Sequence, residues 1–135
     1  MAWLPTKGAV HDPSPSLSPS LVLLYVGDVA RSRAFYEPLF GPPLEGSDNF
    51  AMFQMGSGFR LALWNVAQVE PRATLAPGGG ELCAVVEADQ VRALHDAWAA
   101  RGVAIAQAPT RLDFGFTFVA LDPDGHRLRV FNPAM

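Results

Sequence analysis

The chain repeats itself, and that repeat limits its fold more than any other feature. Gly58-Phe59-Arg60-Leu61-Ala62-Leu63-Trp64 and Gly125-His126-Arg127-Leu128-Arg129-Val130-Phe131 agree at glycine, arginine and leucine. Upstream of each stretch, an aspartate opens a segment of helical periodicity and a glycine closes it thirteen residues later (Asp28 to Gly41, Asp89 to Gly102). Self-similarity on this scale marks a duplicated supersecondary unit. A unit with one helix and one small sheet cannot bury both faces of that sheet alone, so the halves, or two chains, must pair.

Residues 21–26 read as a strand, and Asp28 as the N-cap of a helix over 29–40 with Val29, Ser32, Phe35, Tyr36 and Leu39 on one stripe. Pro38 is expected to shorten or distort its last turn, before Gly41-Pro42-Pro43 ends it. Strands follow at 50–54 and 59–64, then a connector, 66–80, containing Pro71, Pro77 and three successive glycines. The second half offers a strand at 82–87 and Asp89 as N-cap. A helix over 90–101 follows, with Val91, Leu94 and Trp98 on its apolar stripe, then a short strand at 103–106. Its last element is a hairpin of strands 116–121 and 126–131 around Asp122-Pro123-Asp124-Gly125, residues suited to a type I turn. Arg111, Asp113 and Gly115 read as a loop before the hairpin, either solvated or capping a cavity mouth. Residues 1–20, with four prolines and four serines, read as an irregular arm that Trp3 and Leu4 could anchor.

Half the residues are apolar and 17% charged, enough for a sizeable core. The net charge of −3 and scattered basic residues argue against a nucleic-acid surface. No stretch resembles a secretory leader or is long enough to span a bilayer, so the expectation is a cytoplasmic protein without membrane partners. A single cysteine, Cys83, excludes an internal disulfide framework. With no histidine placed to activate it, Cys83 is expected to be a buried thiol.

Asp28-x-x-Arg-Ser-x-x-Phe-Tyr36 with Phe40-Gly41, and Phe118-x-x-x-Asp-Pro-Asp-Gly-His-Arg-Leu-x-Val-Phe131, resemble the vicinal-oxygen-chelate superfamily of glyoxalase I, extradiol dioxygenases and bleomycin-resistance proteins. The resemblance covers essentially everything from Leu21 onward. It implies an α+β fold of two βαβββ modules, 21–65 and 81–135, joined by the 66–80 linker. Their curved mixed sheets would enclose a cavity, usually in a homodimer. It also implies four metal-ligand positions in the metal-using members. These fall here on Leu21, Ala62, Arg129 and one residue within 81–83, where apolar alternation favours Glu81. Alkyl, methyl and guanidinium groups cannot chelate, and His11, His95 and His126 are not placed to substitute. No metal and no other cofactor is expected, and the metal-dependent enzymology of the family should be absent.

Strand alternation places Leu21, Leu23, Tyr25, Arg60, Ala62 and Trp64 on the cavity side of the first module. In the second it places Glu81, Cys83, Arg127, Arg129 and Phe131 there. Arg129 is expected to pair with Glu81, because a buried cation without an anion is costly, unless it snorkels to solvent. Trp64 offers a stacking surface, and Phe114 and Phe116 are further aromatic candidates; Phe50 and Phe53 have no assigned face. The ligand-binding set is therefore Tyr25, Arg60, Trp64, Glu81, Phe114, Phe116, Arg127, Arg129 and Phe131, with no catalytic residue. This set suits a planar aromatic, partly anionic small molecule that is held rather than transformed, as in the antibiotic-binding (bleomycin- and phenazine-resistance) branch. The alternatives are a glyoxalase- or dioxygenase-like metalloenzyme with an unrecognised metal site, and a dimeric domain that has lost ligand binding.

Overall fold

The computed structural model describes residues 19–134. The expected N-terminal arm lies, through residue 18, outside the described residues. The elements run β1 (Leu21–Val26), α1 (Val29–Phe40), β2 (Glu45–Gly46), β3 (Phe50–Gln54) and β4 (Arg60–Asn65), with a short 3₁₀ turn at Val66–Gln68. After the connector come β5 (Glu81–Val85), α2 (Ala88–Ala100), β6 (Ala104–Leu112), β7 (Gly115–Leu121) and β8 (Arg127–Pro133). The strands form two four-stranded mixed sheets, ordered β1-β4-β3-β2 and β5-β8-β7-β6. In each, the first strand of the module runs parallel to the last, and the remaining pairs are antiparallel. The duplicated βαβββ plan is therefore present in both halves.

Local chemistry sets these boundaries. Asp28 sits in extended conformation and its carboxylate accepts the Arg31 N–H at 3.1 Å, satisfying an otherwise orphaned helix donor. Gly41, at φ 85°, ends α1 with its N–H on the Glu37 carbonyl at 2.8 Å. The helix runs through Pro38 to Phe40, so the expected shortening does not occur. A proline so near the C-terminus removes one backbone donor while Gly41 still closes the last turn. In the second module α2 begins at Ala88, with Glu87 at the cap position and no side-chain cap bond. Asp89 is therefore a first-turn residue rather than the cap, placed where a carboxylate complements the helix dipole.

Two strands exceed their sequence signal. β2 has only two residues, paired with Met52 and Ala51, too few to show alternation. β6 extends nine residues rather than the expected four, so Arg111 belongs to a strand and Gly115 opens the next. Its register shifts twice and it contains Pro109, which an edge strand tolerates but which reads as a loop in sequence.

Both helices cover one face of their own sheet. Val26, Val29, Tyr36, Phe53, Leu61 and Leu63 form the first core, and Val91, Trp98, Phe118, Leu128 and Val130 the second. Phe35 and Leu39 of α1, with Leu82, pack against both cores, so α1 lies between the modules. Trp98 is a core residue, as its helical stripe indicates. Among the described residues, no helix is long and apolar enough to cross a membrane.

A polar joint crosses the module boundary at the β7–β8 turn. The Asp122 side chain is fully buried. Its Oδ1 accepts the backbone N–H groups of Asp124 and His126 at 2.9 and 2.8 Å. Its Oδ2 accepts the Tyr36 hydroxyl at 2.7 Å and lies 2.8 Å from His126 Nδ1. Asp124 then accepts the Gly27 N–H at 3.2 Å and pairs with Arg31 at 3.4 Å. Burial, reinforced by the neighbouring carboxylate, pushes the Tyr36 phenol far above its ordinary value. Burial favours neutral Asp122, but the hydrogen bonds from His126 and Tyr36 outweigh it and hold the carboxyl below its ordinary value. An acid lowered by folding binds fewer protons in the folded state, so its contribution is complete above the unfolded value and disappears as pH falls through the folded one.

Removing the hydroxyl in Tyr36→Phe leaves the buried carboxylate short of a donor, and should cost about 1.5–3 kcal/mol in urea denaturation at pH 7. Asp122→Asn should flatten the loss of stability below about pH 4 that the native chain shows in the same assay.

Candidate ligand-binding faces

The face of each sheet turned away from its helix carries the sequence-predicted site residues other than Phe114, in the turn before β7, and Phe116. On the first sheet, Leu21, Leu23 and Tyr25 stand opposite Arg60, Ala62 and Trp64. Phe50 stands on the other side of Trp64, so Tyr25, Trp64 and Phe50 form an aromatic row across β1, β4 and β3. Arg60 donates from Nε to Gln54 Oε1 at 3.2 Å, four residues along β4 from that row and beyond the Ala62–Met52 pair. Beyond Tyr25 and Trp64 the connector returns past the sheet. Residues 69–75 and this aromatic pair line an open pocket of about 310 Å³, with buried Val69 at its edge.

On the second sheet, Glu81 stands opposite Arg127 and Cys83 opposite Arg129. Arg129 donates from Nε to Glu81 Oε1 at 2.9 Å and from Nη1 to Thr117 Oγ1 at 3.3 Å. Thr117 in turn donates to the Val130 carbonyl at 2.9 Å, so a buried hydroxyl braces the guanidinium. The guanidinium carbon lies 5.5 Å from the Phe114 ring centre, and Phe114 meets Phe131 edge-on at 5.7 Å. The expected Glu81–Arg129 ion pair is thus formed, inside an aromatic corner. The Arg129 hydrogen bond, opposed by modest burial, holds Glu81 below its ordinary value, with Arg127 adding to the effect. Burial first, then the Glu81 carboxylate, raises the Cys83 thiol.

A divalent metal does not fit this face. Of the four positions that the family resemblance designates, only Glu81 carries a donor oxygen, and Arg129 engages it. Asp122, Asp124 and His126 offer ligand atoms within 4.8 Å of one another. Those atoms already accept protein N–H and O–H groups, including a Gly78 N–H donated to His126 Nε2 at 3.1 Å. That cluster is the module joint.

The structure places other expected residues differently. Phe116 faces the helix side, packed with the second core between the guanidinium groups of Arg92 and Arg111 at 5.3 and 5.4 Å. It is separated from the remaining candidates because even-numbered residues of β7 point toward α2. Phe53 is wholly in the first core. Cys83 is exposed rather than buried, since β5 is an edge strand and its outer face lacks cover. For the same reason the expected enclosure is not formed within one chain. The two sheets do not close on each other, and Leu21, Tyr25, Phe114 and Val85 remain 37–65% exposed. Thr117 and the connector wall escaped sequence reading, because a buried threonine and an aperiodic loop leave no pattern. A larger groove of about 450 Å³ lies on the helix side, among Leu39, Phe40, Leu82, Leu94 and Trp98, with only Ser57 and Cys83 as polar neighbours.

The profile of the Glyoxalase/Bleomycin resistance protein/Dioxygenase superfamily matches residues 19–130. The phenazine antibiotic resistance protein EhpR of Enterobacter agglomerans is 30% identical over 121 residues, 86% of this chain and 92% of that protein. A protein from Agrobacterium tumefaciens, solved by solution NMR, is 43% identical and superposes with a TM-score of 0.80 over 89% of this chain and 100% of its own. A glyoxalase-related enzyme from Fulvimarina pelagi is 27% identical, with a TM-score of 0.74 over 85% of this chain and 87% of its own.

Because Glu81 raises the Cys83 thiol, Glu81→Gln should increase the thiolate fraction and speed alkylation by iodoacetamide at pH 7.5 about two- to tenfold. Intact-mass spectrometry reads this cleanly, the chain having one cysteine.

Proposed function

This chain belongs to the Glyoxalase/Bleomycin resistance protein/Dioxygenase superfamily, and we propose that it binds and sequesters a planar aromatic, partly anionic small molecule without using a metal. The observation that carries this reading is the Arg129–Glu81 pair at 2.9 Å, seated where chelating residues would have to converge. Arg127 and Arg129 against the single Glu81 leave one positive charge on this face, which suits one carboxylate on the ligand. Arg129 uses Nε and Nη1 within the protein, leaving Nη2 to offer to an anion. The row of Tyr25, Trp64 and Phe50 supplies the flat apolar counterpart on which a ring system stacks. Similarity to a phenazine antibiotic resistance protein supports placing this chain among antibiotic-binding members.

A ligand of this kind needs both walls, and one chain leaves its two open faces apart. The proposal therefore includes a homodimer in which a second copy covers the exposed faces, within the cytoplasm. Stacking and one charged anchor provide affinity, and no bond is made or broken.

Titrating the protein with phenazine-1-carboxylate while following tryptophan emission should give saturable quenching. Trp64→Ala and Arg129→Ala should each weaken binding about tenfold, ~1.4 kcal/mol. Replacing the carboxylate of the probe with hydrogen should weaken binding to the native chain but not to Arg129→Ala. Unchanged emission across a panel of planar antibiotics, or stoichiometric zinc, iron or manganese in the purified protein, would overturn the reading.

A further inference from the structure

The end of the connector meets the body of the protein at a buried imidazole. Gly78 donates its backbone N–H to His126 Nε2 at 3.1 Å. A nitrogen that accepts a hydrogen bond carries no proton, so the proton of the ring sits on Nδ1, 2.8 Å from Asp122 Oδ2. Both ring nitrogens are thereby committed, and the His126 side chain is only 5% exposed. The approach is close. Gly78 has φ +113°, and a Cβ there would lie 2.6 Å from the Asp124 carbonyl oxygen. Two residues on, Gly80 lies against the His126 ring and its carbonyl accepts the Arg127 N–H at 2.9 Å.

Adding a proton to this ring would turn Nε2 from acceptor to donor and set it against the Gly78 N–H. The groups facing the ring make that proton welcome elsewhere. The Asp122 carboxylate accepts Nδ1–H whether the ring is neutral or charged, and Asp124 adds negative charge from the turn. Arg31 of α1 pairs with Asp124, Arg127 follows in the chain, and Tyr36 occupies the same Asp122 oxygen as a neutral phenol. The one contact that cannot survive protonation is the connector's. Three residues before Gly78, the segment 69–75 forms the wall opposite Tyr25 and Trp64.

We propose that His126 is a proton-operated catch on the connector, so that protonating this buried imidazole frees the wall of the aromatic cavity. Histidine is the side chain suited to such a change between about pH 5 and 8. The significance of that wall rests on the ligand-binding reading above, but the test requires no ligand and so fails or succeeds independently of it.

The full chain, labelled with ¹⁵N, is titrated from pH 8 to pH 5 by NMR. At pH 8 the His126 ring should show the Nδ1–H tautomer. As it takes its second proton, the Gly78 amide should shift and lose about tenfold of its protection against exchange, measured relative to the intrinsic rate at each pH. The amides of residues 69–75 other than Pro71 should shift with the same midpoint. His126→Gln, which cannot be protonated in this range, should leave Gly78 and residues 69–75 flat; if that variant does not fold, the native titration decides alone. An Nε2–H tautomer at pH 8, a ring that stays neutral to pH 5, or a Gly78 amide indifferent to the ring would overturn the catch. Residues 69–75 unmoved while Gly78 is released would overturn its link to the cavity.

Discussion

The architecture depends on one buried carboxylate. Asp122 receives four donors, two from its own turn and two from side chains of different modules, Tyr36 and His126. A buried ionised carboxylate is costly unless its lone pairs are engaged, and here they are. Because Tyr36 projects from α1 and also stacks on Phe40 at 5.7 Å, the polar joint and the first core are fixed by one side chain. The duplicated modules could be held by hydrocarbon alone, through Phe35 and Leu39. Hydrocarbon contact tolerates sliding, whereas a carboxylate with four directed bonds permits one orientation. The joint therefore sets how the halves meet.

That choice of joint explains why the open faces stay open. The contacts described between modules run through α1, Leu82 of β5, the β7–β8 turn and the end of the connector. The outer faces take no part in them. An apolar edge strand such as β5, with Val85 65% exposed, is a liability in a protein that works alone. It is intelligible where another surface covers it. The incompleteness of the two faces thus follows from where the modules are bolted, and it belongs to the geometry that the proposed ligand and second copy would complete.

What the sequence made legible follows physical rules of different reach. The helix over 29–40 announces itself through Asp28, its stripe and Gly41, all local signals, and both bounds were readable. The Glu81–Arg129 pair was readable because strand alternation puts both on one face and an uncompensated guanidinium is unfavourable there. Phe116 was misplaced among the ligand residues because an aromatic in an exposed-looking stretch gives no facing until the strand register is known. The bulged β6 was truncated because Pro109 imitates a loop. The least legible feature was the Asp122 joint. Asp122 and His126 already had a sufficient local explanation in the turn, so nothing in the sequence demanded partners eighty-six residues away.

Replacing a chelating carboxylate with Arg129 changes what a pocket of this family can do, and Glu81 determines how far. Glu81 is held below its ordinary value, so the pair is charged at neutral pH. In an ion pair covered to this extent, with side chains 15% and 33% exposed, the cost of desolvation offsets much of the attraction, so the pair is poorly explained as a structural device. Its braces are more specific than stability requires: Thr117 fixes Nη1, Glu81 fixes Nε, and the Phe114 ring lies 5.5 Å from the guanidinium carbon. A planar cation held on two edges and stacked against a ring has lost most of its rotamer freedom before any ligand arrives. The entropy that an anion would otherwise have to overcome is already spent in folding, which is the condition for tight recognition by a single charged contact.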